Sequence, residues 1–408
     1  MPEHGRRRVV VTGLGAISSL GHDADSVVNA IRSGRSGITP IEQFDSTGFE
    51  HVLAGEVRGF DPARHLKSAD APRWGRSAQF AAAAARGAVH DSGISPEFLS
   101  QECTVSCFGT TNGESQAMER LAAQWVEGAG ERLDPHLLHQ VDPGRISTAV
   151  SAELDLGGAA VTFGTACAAG NYAVGYAYDL ISTGEADAGL CGGADASNRA
   201  THAGFHRLGA LAETVPRPFD ADRDGIVTAE GAAALLLEPL DTAVARGARI
   251  YAEVLGHGMN CDAHHMTNPH ATSIAACIRS AHEHAGITPD SVDYICAHGT
   301  GTRANDFTEV NAVRAVFGNR IPPISSVKSM LGHTRGAAAA FGALVSCAAL
   351  HQGFLPPSAT LRRQDPALGK GLDTVSDADR EASPRVVQNH GFAFGGNNAV
   401  TLFGKVAA

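Results

Sequence analysis

The sequence predicts an α/β protein built from two pseudo-repeated halves, and three observations carry that reading. Short apolar runs that end at glycines alternate with alanine-rich stretches, the pattern of strands layered against helices. The succession of strand, glycine turn and helix recurs on both sides of residue 250. No Pro/Ser-rich linker separates the two sides, which predicts fused halves of one body, 1–250 and 251–408, rather than tethered domains.

Taken in order, Val9-Val10-Val11 reads as a buried strand that turns at Gly13, and residues 76–91 as an alanine-rich helix stopped by Ser92-Gly93. Residues 159–163 form a strand. Residues 168–182 then carry Tyr172, Ala173, Tyr176, Leu180 and Ile181 at helical spacing and stop before Gly184. A strand at 188–191 is closed by Gly192-Gly193, and apolar runs at 235–237 and 251–255 precede a helix at 274–285. In the last third, 294–296 runs into Ala297-His298-Gly299, and 324–326 leads to Gly332-His333 and an apolar helix. Val386-Val387 leads to Gly391 and Gly395-Gly396.

Composition narrows the function. Over 408 residues, 43 acidic side chains against 32 basic ones give a net charge of −11, which argues against nucleic acid as a partner. Hydrophobic residues at 43% and charged ones at 18% exclude disorder. The glycines form no triplet repeat, which excludes a collagen-like chain. Eight cysteines without a C-x-x-C pair predict a reducing, cytoplasmic setting. The longest uncharged run, 336–350, is shorter than the roughly 18 residues a membrane span needs, and reads as a buried helix.

Several motifs fail on inspection. Gly13-Leu14-Gly15 follows a strand but lacks the third glycine and the distal acidic residue of a dinucleotide site. Asp220 to Gly225 opens like a calcium loop, yet Gly231 stands where the bidentate glutamate belongs. His264-His265 and His282-Glu283-His284 lack a third ligand at zinc spacing, so no metal is predicted.

Gly164-Thr165-Ala166-Cys167-Ala168-Ala169-Gly170 lies between a predicted strand and a predicted helix. A cysteine at a helix N-terminus meets the positive end of the backbone dipole, which favours thiolate. Alone it reads more readily as a small core residue. Two further corners, around His298 and His333, place a histidine beside glycine at a strand end, where all three side chains can converge. Two imidazoles beside a thiol suit chemistry in which an enolate oxygen is stabilised as carbon dioxide leaves.

These residues resemble a β-ketoacyl-acyl carrier protein synthase of the elongating type. The likeness extends over the opening Val-Val-Val-Thr-Gly-Leu-Gly, Thr165-Ala166-Cys167-Ala168, Arg217-Pro218-Phe219-Asp220, Asp262 to Thr267, His298 with its Gly-Thr-x-Thr, Lys328 with Gly332-His333, and Phe392 to Asn398, all in family order. The resemblance implies a thiolase-like fold in α-β-α-β-α layers. It implies that Cys167 accepts the acyl chain, that His298 and His333 promote decarboxylation of a malonyl extender, and that Lys328 and Glu309 form a charged pair orienting them. Thr300 and Thr302 would hold the phosphopantetheine arm, and Phe392, Phe394 and Gly395 would bind substrate. The Phe394 amide would complete an oxyanion hole with that of Cys167, its ring gating the pocket. The implied partners are an acyl carrier protein, which itself carries the phosphopantetheine, and a second subunit in a homodimer or in a heterodimer with a chain-length-factor-like paralogue. No bound cofactor, nucleic acid or membrane is implied. Arg73 and Arg76 are candidates for docking the carrier.

Some positions depart from the fatty-acid pattern. They include Gly301, Arg303 to Asp306, His390, Ala393 and Asn397, and a polar segment at 108–116. They leave fatty acid and polyketide pathways both open. A non-catalytic chain-length-factor-like partner and a non-decarboxylating thiolase are the alternatives. Retention of Cys167, His298 and His333 argues against the first, and His333 in place of asparagine or a second cysteine against the second.

Overall fold

Strand β1 (Val9–Ser18) is buried along its whole length in the computed structural model, which describes residues 6–68, 73–128 and 132–406. The strand does not turn at Gly13. A Cβ at Gly13 would lie 2.1 Å from the Ala88 carbonyl oxygen, and one at Gly15 1.9 Å from that of Ala84. Those glycines let helix α1 (Arg76–Ser92) lie directly on the strand, so their role is close packing and not reversal. The Glu114 carboxylate accepts the N–H groups of Ser77 and Ala78 at the start of α1, satisfying amides that no preceding turn can reach.

The first half continues with β2 (Thr104–Gly109), α2 (Arg145–Leu154), β3 (Ala160–Phe163), α3 (Ala169–Thr183), β4 (Ala188–Asp195) and β5 (Gly231–Pro239). The second comprises β6 (Ala252–Cys261), α4 (Ala271–Ala285), β7 (Tyr294–Cys296), α5 (Arg303–Phe317), β8 (Ile324–Ser325), α6 (Ala338–Gln352), β9 (Val386–Phe392) and β10 (Asn397–Gly404). The predicted stop at Gly192-Gly193 is likewise absent. β4 runs through both glycines because the Ala233 carbonyl oxygen would stand 2.0 Å from a Cβ at Gly192.

The repeat is explicit in the strand order. The first half runs β3-β2-β4-β5-β1 and the second β8-β7-β9-β10-β6, the same permutation of chain order. In each, the first three strands are parallel and the last two antiparallel. β1 and β6 pair over Val9 to Val11, joining both halves into one ten-stranded sheet. Helices α1 and α2 cover the outer face of the first half, and α4 and α5 that of the second, while α3 and α6 touch strands of both. The sequence α-β-α-β-α follows.

Helix α6 is apolar all round and buried from Ala338 to Leu350, as a helix in the central layer must be. It meets the start of α3 closely, since a Cβ at Gly170 would lie 2.4 Å from the Ala340 nitrogen. Among the described residues, no helix is long and apolar enough to cross a membrane.

Candidate active site

Each central helix begins at a corner that carries chemistry. Cys167 sits in a 3₁₀ turn, Ala166–Ala168, that leads into α3, and His333 stands just before a matching turn, Arg335–Ala337, that leads into α6. Both corners are strained, with Ala166 at φ 49° and Arg335 at φ 55°. Left-handed backbone at residues with a Cβ costs about 1–2 kcal/mol each and persists where packing enforces it. His298 lies beyond the end of β7, at a corner completed by Gly299.

The sequence separates these three side chains, and the fold joins them. The Cys167 Sγ and a ring nitrogen from each of His298 and His333 lie within 4.8 Å of one another. The two imidazoles meet edge to face, with centroids 5.5 Å apart. All three line a cavity of about 370 Å³ together with Thr300, Thr302, Phe392 and Phe394.

The thiol departs from the sequence expectation. Burial pushes it up to about 11, against the opposing pull of the Lys328 charge and of the amides of Phe394 and Cys167. Desolvation therefore outweighs the helix end, and the resting group is a thiol. The same two amides reach the sulfur and favour its charged form. Burial, and then the Lys328 charge, hold His298 and His333 well below the ordinary histidine range, so both are neutral. His333 Nδ1 accepts the Arg335 N–H at 3.0 Å, which leaves its proton on Nε2.

The supports differ from the expected charged pair. Lys328 donates to the His298 carbonyl oxygen at 2.5 Å, while Glu309 pairs with His390 at 2.8 Å. Lys328 and Glu309 feel each other only through space. Glu309 accepts the amides of His298 and Gly299 at 2.8 and 2.7 Å, fixing the main chain of that corner. Thr300 and Thr302 hydroxyls lie 2.9 Å apart, and that of Thr302 also caps α5. Phe394 is 38% exposed at the cavity wall, with Phe205 packed against it. Gly395 does not line the cavity; its N–H donates to the Met266 carbonyl at 2.7 Å, and its φ of 87° turns the loop.

One other expectation is corrected. Arg76 is engaged inside the fold by Glu230 at 2.7 Å and by the Val57 carbonyl, so it does not present a docking charge. The polar segment 108–116, which departs from the fatty-acid pattern, is engaged in loop contacts. Thr110, Thr111 and Asn112 bond to Asp195, Gln116 to the Ser197 carbonyl and Asn112 to Thr201. Its polarity ties loops together.

Sequence reasoning missed Asp195, which also accepts the Gly336 N–H at 2.6 Å and so links β4 to the His333 corner. It passed over Asp306, which receives the amides of Phe219, Thr300 and Gly301. Both are buried carboxylates that collect backbone donors from distant loops. An acidic residue beside a glycine-rich corner is the only local signal.

Buried thiol, paired neutral imidazoles and converging amides on a duplicated five-strand body define a thiolase-like condensing enzyme. Residues 6–243 match the β-ketoacyl synthase N-terminal domain and residues 251–362 its C-terminal domain, and the chain belongs to the β-ketoacyl synthase family. It is 36% identical to 3-oxoacyl-[acyl-carrier-protein] synthase 2 of Coxiella burnetii, over 98% of this chain and 99% of that one. Among solved structures it is similar to the ishigamide ketosynthase/chain length factor, with a TM-score of 0.96 and 47% identity over 99% of this chain and 100% of that chain. It is also similar to the ketosynthase of the AntDE:AntF complex of type II polyketide synthesis, with a TM-score of 0.88 and 31% identity over 98% and 100%. The chain is a β-ketoacyl-[acyl-carrier-protein] synthase, an acyltransferase.

Proposed function

We propose that the chain performs decarboxylative condensation of an acyl thioester with a malonyl extender, both delivered on the phosphopantetheine arm of an acyl carrier protein, in a type II polyketide pathway. The observation that carries this reading is the convergence of Cys167, His298 and His333 on one cavity within 4.8 Å. The Cys167 thiol passes its proton to a neutral imidazole and attacks the acyl carbonyl, whose oxygen meets the amides of Cys167 and Phe394. The carrier thiol departs with a proton. His298 and His333 then stabilise the enolate oxygen as the malonyl carboxyl leaves as carbon dioxide. The carbanion attacks the Cys167 thioester, and a 3-ketoacyl carrier product leaves with Cys167 restored.

In this reading residues 1–250 supply the nucleophile and 251–408 both imidazoles. Thr300 and Thr302 receive the pantetheine amides, and Phe392 and Phe394 flank the thioester. The polyketide assignment is favoured by 47% identity to a structure titled for ishigamide, against 36% to the Coxiella synthase. That title also favours pairing with a chain-length-factor-like paralogue over a homodimer. An intact trio argues against a non-catalytic role for this chain. The test is intact mass spectrometry of carrier-bound products, with and without the related neighbour protein. A carrier lengthened by one ketide unit is the expected product, and none in either case sinks the reading.

A further inference from the structure

Behind His298, away from the cavity, runs a chain of buried polar groups that the steps above leave unused. His282 Nε2 lies 2.6 Å from Gln388 Oε1, and Gln388 Nε2 lies 2.5 Å from His390 Nε2. His390 Nδ1 lies 2.8 Å from Glu309 Oε1, the oxygen that also accepts the His298 N–H. His282, Gln388, His390 and Glu309 are all buried. The chain thus runs from α4 through β9 to the carboxylate that fixes a catalytic corner.

The donor pattern has a direction. As the amide stands, Gln388 donates to His390 Nε2, so that nitrogen is a bare acceptor and the ring proton sits on Nδ1. With the amide turned over, its oxygen accepts from a doubly protonated ring. In both arrangements Nδ1–H points to Glu309.

We propose that His390 is a positioning residue for His298, holding the Glu309 carboxylate against the main chain at 298–299. That stretch needs holding, because Gly299 sits at φ 33°, in a sparsely populated region. The inference rests on the decarboxylating role given to His298 above. Burial pushes the Glu309 carboxyl up, but the His390 hydrogen bond, with the amides of Gly299 and His298, more than offsets it. The titratable groups facing His390 are Glu309 from α5, His282 from α4 through Gln388, and His298 beyond the Phe392 ring, with Lys328 on the far side of His298. Without this donor, Glu309 takes up a proton at a higher pH. The hydroxyl it gains leaves one acceptor too few for the two amides.

The test compares His390→Asn with His390→Gln. Asparagine places an N–H where Nδ1 stands; glutamine places its amide where Nε2 stands and leaves Glu309 without that donor. Release of labelled carbon dioxide from malonyl carrier protein is followed from pH 5 to 9, beside acyl loading of Cys167 by mass. His390→Gln is expected to lose about 10- to 100-fold in decarboxylation at pH 7, with acyl loading within about 3-fold. Glu309 must be ionised, and its lowered pKa keeps it so. Activity is therefore lost as pH falls, and in His390→Gln that loss begins about one pH unit higher. His390→Asn recovers to within several-fold of the parent, with its acid limb restored. Equal loss in both variants with an unmoved limb means that His390 only fills space, and overturns the inference. Should His390→Gln fail to fold, Glu309→Gln takes its place: its decarboxylation is slow at every pH, and parental activity in it overturns the inference too. A parent that releases no carbon dioxide from malonyl carrier overturns the functional reading itself.

Discussion

The main-chain N–H of Arg335 donates to Nδ1 of His333 at 3.0 Å, and this bond decides which ring nitrogen carries the hydrogen. A neutral ring so engaged keeps its hydrogen on Nε2, which in the proposed mechanism donates to the oxygen that becomes an enolate. His333→Ala therefore loses about 10²–10⁴-fold in malonyl decarboxylation, while acyl loading of Cys167 falls much less. Labelled carbon dioxide release and intact protein mass separate the two, and equal losses in both would remove this division of labour.

Cys167→Ala abolishes the acyl-enzyme. Intact mass after incubation with an acyl thioester shows a single acyl addition on the parent and none on the variant. An addition that persists places the nucleophile at another of the free cysteines.

The thiol is pushed up to about 11, chiefly by burial. A thiolate is then the minor form at neutral pH, and its fraction grows as pH rises toward that value. Inactivation by iodoacetamide, which is uncharged, keeps accelerating to pH 10. A rate that levels off below pH 8 contradicts the desolvated environment.

Gly15→Ala forces a Cβ to within 1.9 Å of the Ala84 carbonyl oxygen. It destabilises by about 1–3 kcal/mol, the typical range of overpacking that moves main chain. Gly204→Ala, which meets nothing within 4 Å in the helix Arg199–Arg207, serves as the control and is neutral or slightly stabilising. Urea unfolding of both variants reads the difference directly, and equal midpoints would contradict the packing account.

Much of the fold was legible because apolar runs and alanine-rich stretches report burial locally. The strand Tyr294–Cys296 and the helix Arg76–Ser92 follow from that signal. Gly13 and Gly192 misled because glycine marks close approach as well as reversal, and the approaching Ala88 and Ala233 are distant in sequence. Cys167, His298 and His333 stood out as chemistry-bearing residues at glycine-rich corners. Their supports did not, since Asp195 to Gly336 and His390 to Glu309 are contacts across 141 and 81 residues. The thiolate expected from the helix end failed because a local dipole says nothing about how deeply the fold buries its neighbours.

One cavity is lined by Cys167 and by both imidazoles. In the proposed mechanism both half-reactions use this one cavity, which imposes turn-taking: the visitor that delivers the growing chain must withdraw its arm before the extender can enter. Ping-pong kinetics follow, and so does cross-inhibition, in which a surplus of either guest occupies the threshold and starves the other.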